Sequence, residues 1–101
     1  MGIKLDAVSY TNVSTDTTIL TSPGYLYGYS IIPKTTAAVT IAIYDAKATA
    51  TGTVVIGDYA ASTAGRKAVT FAHPIACRTG IHVDVTCTSA ADNVVVFYAK
   101  A

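Results

Sequence analysis

The chain contains no glutamate, no glutamine and no tryptophan, and only 13% of its residues are charged. Soluble domains ordinarily carry about 25% charged residues. All of its acids are aspartates, which favour turns and caps over helix interiors. No window sets apolar residues at helical spacing among strong helix formers, so almost no helix is predicted. Scarce charge leaves two readings of the surface. Part of it is covered in an assembly, or Thr and Ser hydroxyls replace charges on the exposed faces. Seven cations against six anions leave a net charge of +1. Cations so scattered cannot build a long basic face, which removes the electrostatic basis for a nucleic-acid partner. Arg66-Lys67, the only basic pair, reads as a solvated turn end. No apolar run approaches the ~18 residues that a helical membrane span needs, so no membrane partner is expected. Asp6 falls where a signal sequence would continue its apolar run, and folding in a reducing cytosol is expected. The acceptor pattern Asn12-Val13-Ser14 has no use without secretion.

What is present favours strands. Thr, Val, Ile and Tyr dominate the runs, although the many alanines favour helix. A length of 101 residues supports one domain, 1–101. Its organising stretch is Pro23 to Ile32, where a Pro-Gly turn opens a clean alternation. Tyr25, Tyr27, Tyr29 and Ile31 are predicted on one face, and Leu26, Gly28, Ser30 and Ile32 on the other. Both faces are substantially apolar, which implies a strand central to its sheet or one meeting another subunit. Further strands are predicted at Ile3–Tyr10, Thr17–Leu20, Ala38–Tyr44, Thr53–Ile56, Lys67–Ala72, Ile81–Thr86 and Asn93–Ala99. Pro33 and Pro74 are expected to interrupt strands, Gly57-Asp58 to close one, and Ile75–Thr79 is short and ambiguous. Val94 to Tyr98 is apolar on both faces and is placed mid-sheet. About eight short strands at roughly 8–12-residue spacing indicate an all-β fold. The architecture predicted is an antiparallel two-sheet β-sandwich, jelly-roll-like, with an immunoglobulin-like topology as the alternative.

Candidate chemistry is thin. His73, Cys77, His82 and Cys87 are the only set that could hold a metal, at the spacing H-x3-C-x4-H-x4-C. Zinc sites usually place two ligands on a tight knuckle. On the predicted strand, His82 and Cys87 point to opposite sides, so no metal is expected. A Cys77–Cys87 disulfide across neighbouring strands is possible, but buried thiols suit a reducing compartment better. His82 and Asp84 share a strand face and are near enough to interact, but no nucleophile is identifiable and no serine stands in a G-x-S-x-G elbow. The pair reads as polar surface. The glycines are dispersed at turns, so no phosphate-binding loop is present. No catalytic residues, no cofactor and no enzymatic activity are expected.

The tyrosine row remains. Tyrosines on one strand face can be core, a sugar-stacking platform or a subunit contact. With Leu26 and Ile32 on the expected core face, Tyr25, Tyr27 and Tyr29 are the candidate interface residues. Three rings buried against a neighbour remove a few hundred Å², several kcal/mol at ~25 cal/mol/Å² before association costs.

Three segments together carry a resemblance: Y-T-N-V-S-T-D-T-T-I-L-T-S-P-G-Y-L-Y-G-Y-S-I, V-T-I-A-I-Y-D-A and H-P-I-A-C-R-T-G-I-H-V-D-V-T. From Ser9 to Tyr98 the chain resembles small bacteriophage virion proteins of the β-sandwich head accessory kind, variously decoration, cement or head-fibre proteins. The resemblance implies a protein that self-associates, often as a homotrimer, and clamps the major capsid protein on the capsid exterior of the virion. It brings no catalytic residue. Two other roles stay open: a carbohydrate-binding module on a virion fibre, and a head–tail or tail structural component.

Overall fold

The computed structural model describes residues 8–13, 15–33, 39–48, 53–60, 67–87 and 93–101. These form eight strands and no helix: β1 (Ser9–Val13), β2 (Thr17–Leu20), β3 (Gly24–Ile32), β4 (Val39–Asp45), β5 (Thr53–Ala60), β6 (Lys67–Cys77), β7 (Ile81–Cys87) and β8 (Asn93–Lys100). They pair into two antiparallel four-stranded sheets, β1-β8-β3-β6 and β2-β7-β4-β5. First strand pairs with last, second with seventh, third with sixth and fourth with fifth. That is the pairing of one long hairpin wound over on itself, and it gives the jelly-roll strand order. The expected eight-stranded sandwich is therefore the observed architecture, and the immunoglobulin-like alternative falls to the strand order.

The core lies between the sheets. Leu26 and Ile31 of β3 and Val94 and Val96 of β8 are fully buried, as are Ile41 and Ile43 of β4 and Ile81 and Val83 of β7. Each such side chain contributes roughly 1.5–3 kcal/mol on burial. Both strands expected mid-sheet are central, β3 between β8 and β6, and β8 between β1 and β3.

Several boundaries differ from the expectation. The first strand runs Ser9–Val13, into the segment expected to be loop, because Thr11 and Val13 pair with the inward Val96 and Val94. The expected start of that strand, residues 3–7, lies outside the described residues. β5 continues through Gly57 and Asp58 to Ala60, held by its ladder to β4. β6 runs through Pro74 to Cys77. A proline is tolerated there because β6 is the edge of its sheet and bulges at that point. Five steps from Ile75 to Thr70 face two steps from Leu26 to Gly28 on β3. Cys77 and Cys87 are not on neighbouring strands: β6 and β7 lie in different sheets, and Cys87 closes the far end of β7. Six residues of strand span roughly 20 Å, too far for the disulfide.

The largest correction concerns the tyrosine row. Leu26 pairs with Tyr98 and Gly28 with Phe97, so Tyr27 is one extra residue against β8. A bulge of one residue exchanges the two faces beyond it. Tyr25 and Tyr27 point outward, but Tyr29 is only 4% exposed and sits in the core with Ile31, while Ile32 is turned outward. The three tyrosines do not share a face. Gly28 permits the bulge, since an added Cβ would collide with the Val69 carbonyl oxygen of β6.

Candidate functional site

The outward face of β1-β8-β3-β6 is the surface that the fold leaves apolar. Alternation puts Tyr10 of β1, Val95 and Phe97 of β8, and Tyr25, Tyr27 and Ile32 of β3 on this side. Tyr10 is 68% exposed, Ile32 41% and Tyr25 40%. Ala68, Thr70 and Ala76 of β6 continue the face to the sheet edge. Two shallow hollows indent it. One, of about 250 Å³, lies among Val8, Tyr27, Thr70 and Phe97. The other, of about 350 Å³, lies among Ser30, Ile32, Lys67 and Ala68.

Among the described residues this face carries no aspartate or arginine. Both lysines at the strand ends fall on the core-side alternation. Lys67 opens β6 opposite the buried Ile31, with its ammonium 2.8 Å from Asp58 Oδ1 of the other sheet. Lys100 closes β8 opposite Gly24. His73 stands exposed in the bulge of the β6 edge. The opposite outer face, on β2-β7-β4-β5, presents Thr40 and Thr86 to solvent beside Asp84 and Tyr44. That face also exposes Val54, beside Tyr44, but only the β1-β8-β3-β6 face gathers several exposed aromatic and aliphatic side chains together.

Tyr29, expected at an interface, has a different task. Its hydroxyl donates to Asp58 Oδ2 at 2.6 Å, and its ring leans on Phe71 at 6.2 Å. With Lys67 on the other carboxylate oxygen, Tyr29–Asp58–Lys67 ties the β6 edge of one sheet to the β5 edge of the other. Burial pushes the Tyr29 phenol up to about 12, helped by the hydrogen bond to Asp58 and by that carboxylate's charge.

His82 is the second departure. It shares a face with Asp84 as expected, yet it is 6% exposed rather than surface. Its Nδ1 lies 2.8 Å from Thr18 Oγ1 and its Nε2 2.9 Å from Asp84 Oδ1. The Thr18 hydroxyl also donates to the Ala48 carbonyl at 2.9 Å, and the Tyr44 ring is 6.4 Å away. A hydroxyl, an imidazole and a carboxylate in a row are the parts of a nucleophilic triad. Here the hydroxyl spends its proton on a carbonyl and the ring is enclosed, so the row links β2, β7 and the chain at Ala48. Sequence reasoning missed Thr18, which is 64 positions from His82 and reaches it through the β2–β7 ladder.

Two further groups hold the β6–β7 turn. The carboxylate of Asp45 accepts backbone N–H groups of Arg78, Thr79 and Gly80 at 3.0, 2.8 and 3.3 Å. Burial alone would raise the Asp45 carboxyl, but these three donors and the Arg78 charge outweigh it and hold it below the usual carboxylate range. Cys77 is a buried free thiol pushed up to about 11, mainly by burial and secondarily by the Asp45 charge. Such a thiol is inert packing at neutral pH.

No family model, curated protein or solved structure matches this chain. The polar side chains gathered within the fold (Tyr29 with Asp58, His82 with Thr18, Asp45 with its turn) are occupied by structural partners. The aromatic outer face offers contact area, two hollows and few hydrogen-bonding groups: the hydroxyls of its tyrosines, Thr70 and Ser30, and the amide of the exposed Asn12 opposite Val95. It can bind another surface by exclusion of water.

Proposed function

We propose that this chain is a structural protein of a bacteriophage virion, a capsid decoration or cement protein that self-associates and binds the outside of the major capsid shell without catalysis. The observation that carries the reading is the aromatic outer face of β1-β8-β3-β6, with Tyr25 and Tyr27 at its centre. A small domain that leaves such a face open gains by covering it with protein. Cement acts through shape and apolar contact across subunit seams, and this face is built for contact. The resemblance of Ser9 to Tyr98 to phage head accessory proteins supports the same reading. Jelly rolls serve viral coats and lectins alike, so the fold agrees with the role but does not decide it.

The test is sedimentation with capsids. Heads of the phage that encodes the chain, freed of it, are mixed with purified protein and pelleted. Saturable co-sedimentation is expected, and its absence under every salt condition tried would overturn the reading.

The carbohydrate-binding alternative has one observation in its favour. Tyr27 and Phe97 flank a hollow in which a sugar ring could stack, with the Thr70 hydroxyl beside it. Among the described residues that line the hollow there is no carboxylate or amide of the kind that usually orients a sugar, which favours the protein partner. A glycan array with reproducible hits would reverse that preference. A head–tail or tail position would show as binding at one vertex instead of over the head.

A further inference from the structure

We infer that the occupant of the aromatic outer face is a second copy of this chain, seated face to face across a twofold axis, so that two sandwiches stack into four layers. This deepens the proposed function, and it rests on that reading for the role of the face but not for its chemistry.

A foreign partner is commonly registered by complementary charge, and like charges brought together cost several kcal/mol. A face with no charge in its interior has nothing to complement and nothing to repel when it meets itself. Tyr10, Tyr25, Tyr27, Ile32, Val95 and Phe97 make it mostly apolar, its polar groups are the uncharged Asn12, Ser30 and Thr70, and Lys67 and Lys100 fall on the core-side alternation of their strands. Lys67 is turned to Asp58, so even this cation does not oppose a copy of itself without a counter-charge.

The face has both projections and recesses: Tyr10, Tyr25 and Ile32 stand out, and the hollows beside Phe97 and beside Ala68 recede. A twofold contact is self-complementary by construction, each copy placing its projections on the other's recesses. Sheets stack face to face at about 10 Å, a spacing that aromatic side chains fill.

Four strands at ~4.8 Å spacing and about seven residues at ~3.4 Å give a flat footprint of roughly 450 Å² per copy. Side-chain relief raises the buried total for the pair to about 1,000 Å² or more, the lower range of specific interfaces. The pair should therefore be reversible and concentration-dependent. Meeting the same face on a twofold axis also predicts a dimer, where the resemblance implies a trimer.

The experiment is light scattering behind a sizing column over a range of protein concentrations, with sedimentation equilibrium as a second readout. The expected mass rises from that of one 10.4 kDa chain toward twice it as concentration increases. Tyr25→Asp and Tyr10→Asp, both at exposed positions, should remain folded by circular dichroism and weaken the dimer at least tenfold each. Val54→Asp, on the exposed part of β5 in the other sheet, should leave it unchanged. A monomer at every concentration, a trimer, or a dimer indifferent to Tyr25→Asp and Tyr10→Asp would each overturn the inference. Capsid co-sedimentation of the same samples separates the two claims. A Tyr25-dependent dimer that never pellets with capsids supports the pairing and overturns the virion reading. A monomer that pellets does the reverse.

Discussion

Replacing Tyr29 by phenylalanine separates the two roles that a tyrosine row can play. The substitution keeps the ring, and so its contact with Phe71, and removes one hydroxyl that donates to Asp58 at 2.6 Å. A hydrogen bond to a charged group is worth about 1.5–3 kcal/mol. The folded phenol, at about 12, stands about two units above its ordinary value of 10.0, mainly because burial penalises the phenolate and in part because of the bond to Asp58 and its charge. At ~1.4 kcal/mol per unit this sets the stability lost in alkali at about 2–3 kcal/mol, of which the bond is one part. The sign follows from the direction. A raised folded value means stability that is fully present below pH 10 and is lost as pH rises toward 12. Thermal unfolding of wild type and Tyr29→Phe should differ by roughly 6–24 °C at pH 8, at ~4–8 °C per kcal/mol for a domain of this size. The gap should close as the pH approaches 12, because wild type then loses the bond that the variant never had. Cys77, also raised, destabilises both proteins in alkali and cancels in the comparison. Equal midpoints at pH 8, or a gap that stays constant up to pH 12, would refute the reasoning.

Other perturbations follow from the same geometry. Asp45→Ala leaves three backbone N–H groups of the β6–β7 turn without their acceptor and should cost about 1–3 kcal/mol in urea unfolding. Because the folded Asp45 carboxyl is lowered, its stabilisation is present above the ordinary carboxylate value and is lost as pH falls through the lowered one. The acid limb of the stability profile should flatten in Asp45→Ala. His82→Ala strands the Thr18 and Asp84 groups and opens a cavity, and a loss of about 2 kcal/mol or more is expected by the same assay. Gly28→Ala drives a methyl into the β6 backbone and should cost about 1–3 kcal/mol, whereas Gly57→Ala, at a position open to solvent, should be near neutral.

The strand rhythm, the absence of helix and the two central strands were legible because alternation and turn residues are local signals. So was the pairing of His82 with Asp84 on one face, which needs only the two-residue period of β7. The fate of the tyrosine row was not legible. A single extra residue at Tyr27 turns Tyr29 inward and Ile32 outward, and a bulge is a property of two strands in register, here β3 against β8. The same limit hid the run of β6 through Pro74, since a proline reads as a break unless its strand is known to be an edge. The burial of His82 depends on Thr18 and Ala48, brought over it from 64 and 34 positions away by pairing and loop closure. Tyr25 and Tyr27 do face outward because they lie before the bulge or within it, where the predicted alternation still holds.

The central claim is that the chain is a coat component of a phage particle. It is tested most directly by antibody labelling of intact particles from the phage that encodes it, viewed by electron microscopy. The account predicts label spread over the whole head surface, with strong reduction in particles carrying Tyr25→Asp if pairing of copies strengthens attachment. Label confined to the tail or one vertex would move the protein to a tail or connector role. Particles without label, with the protein left in the soluble fraction, would contradict the account.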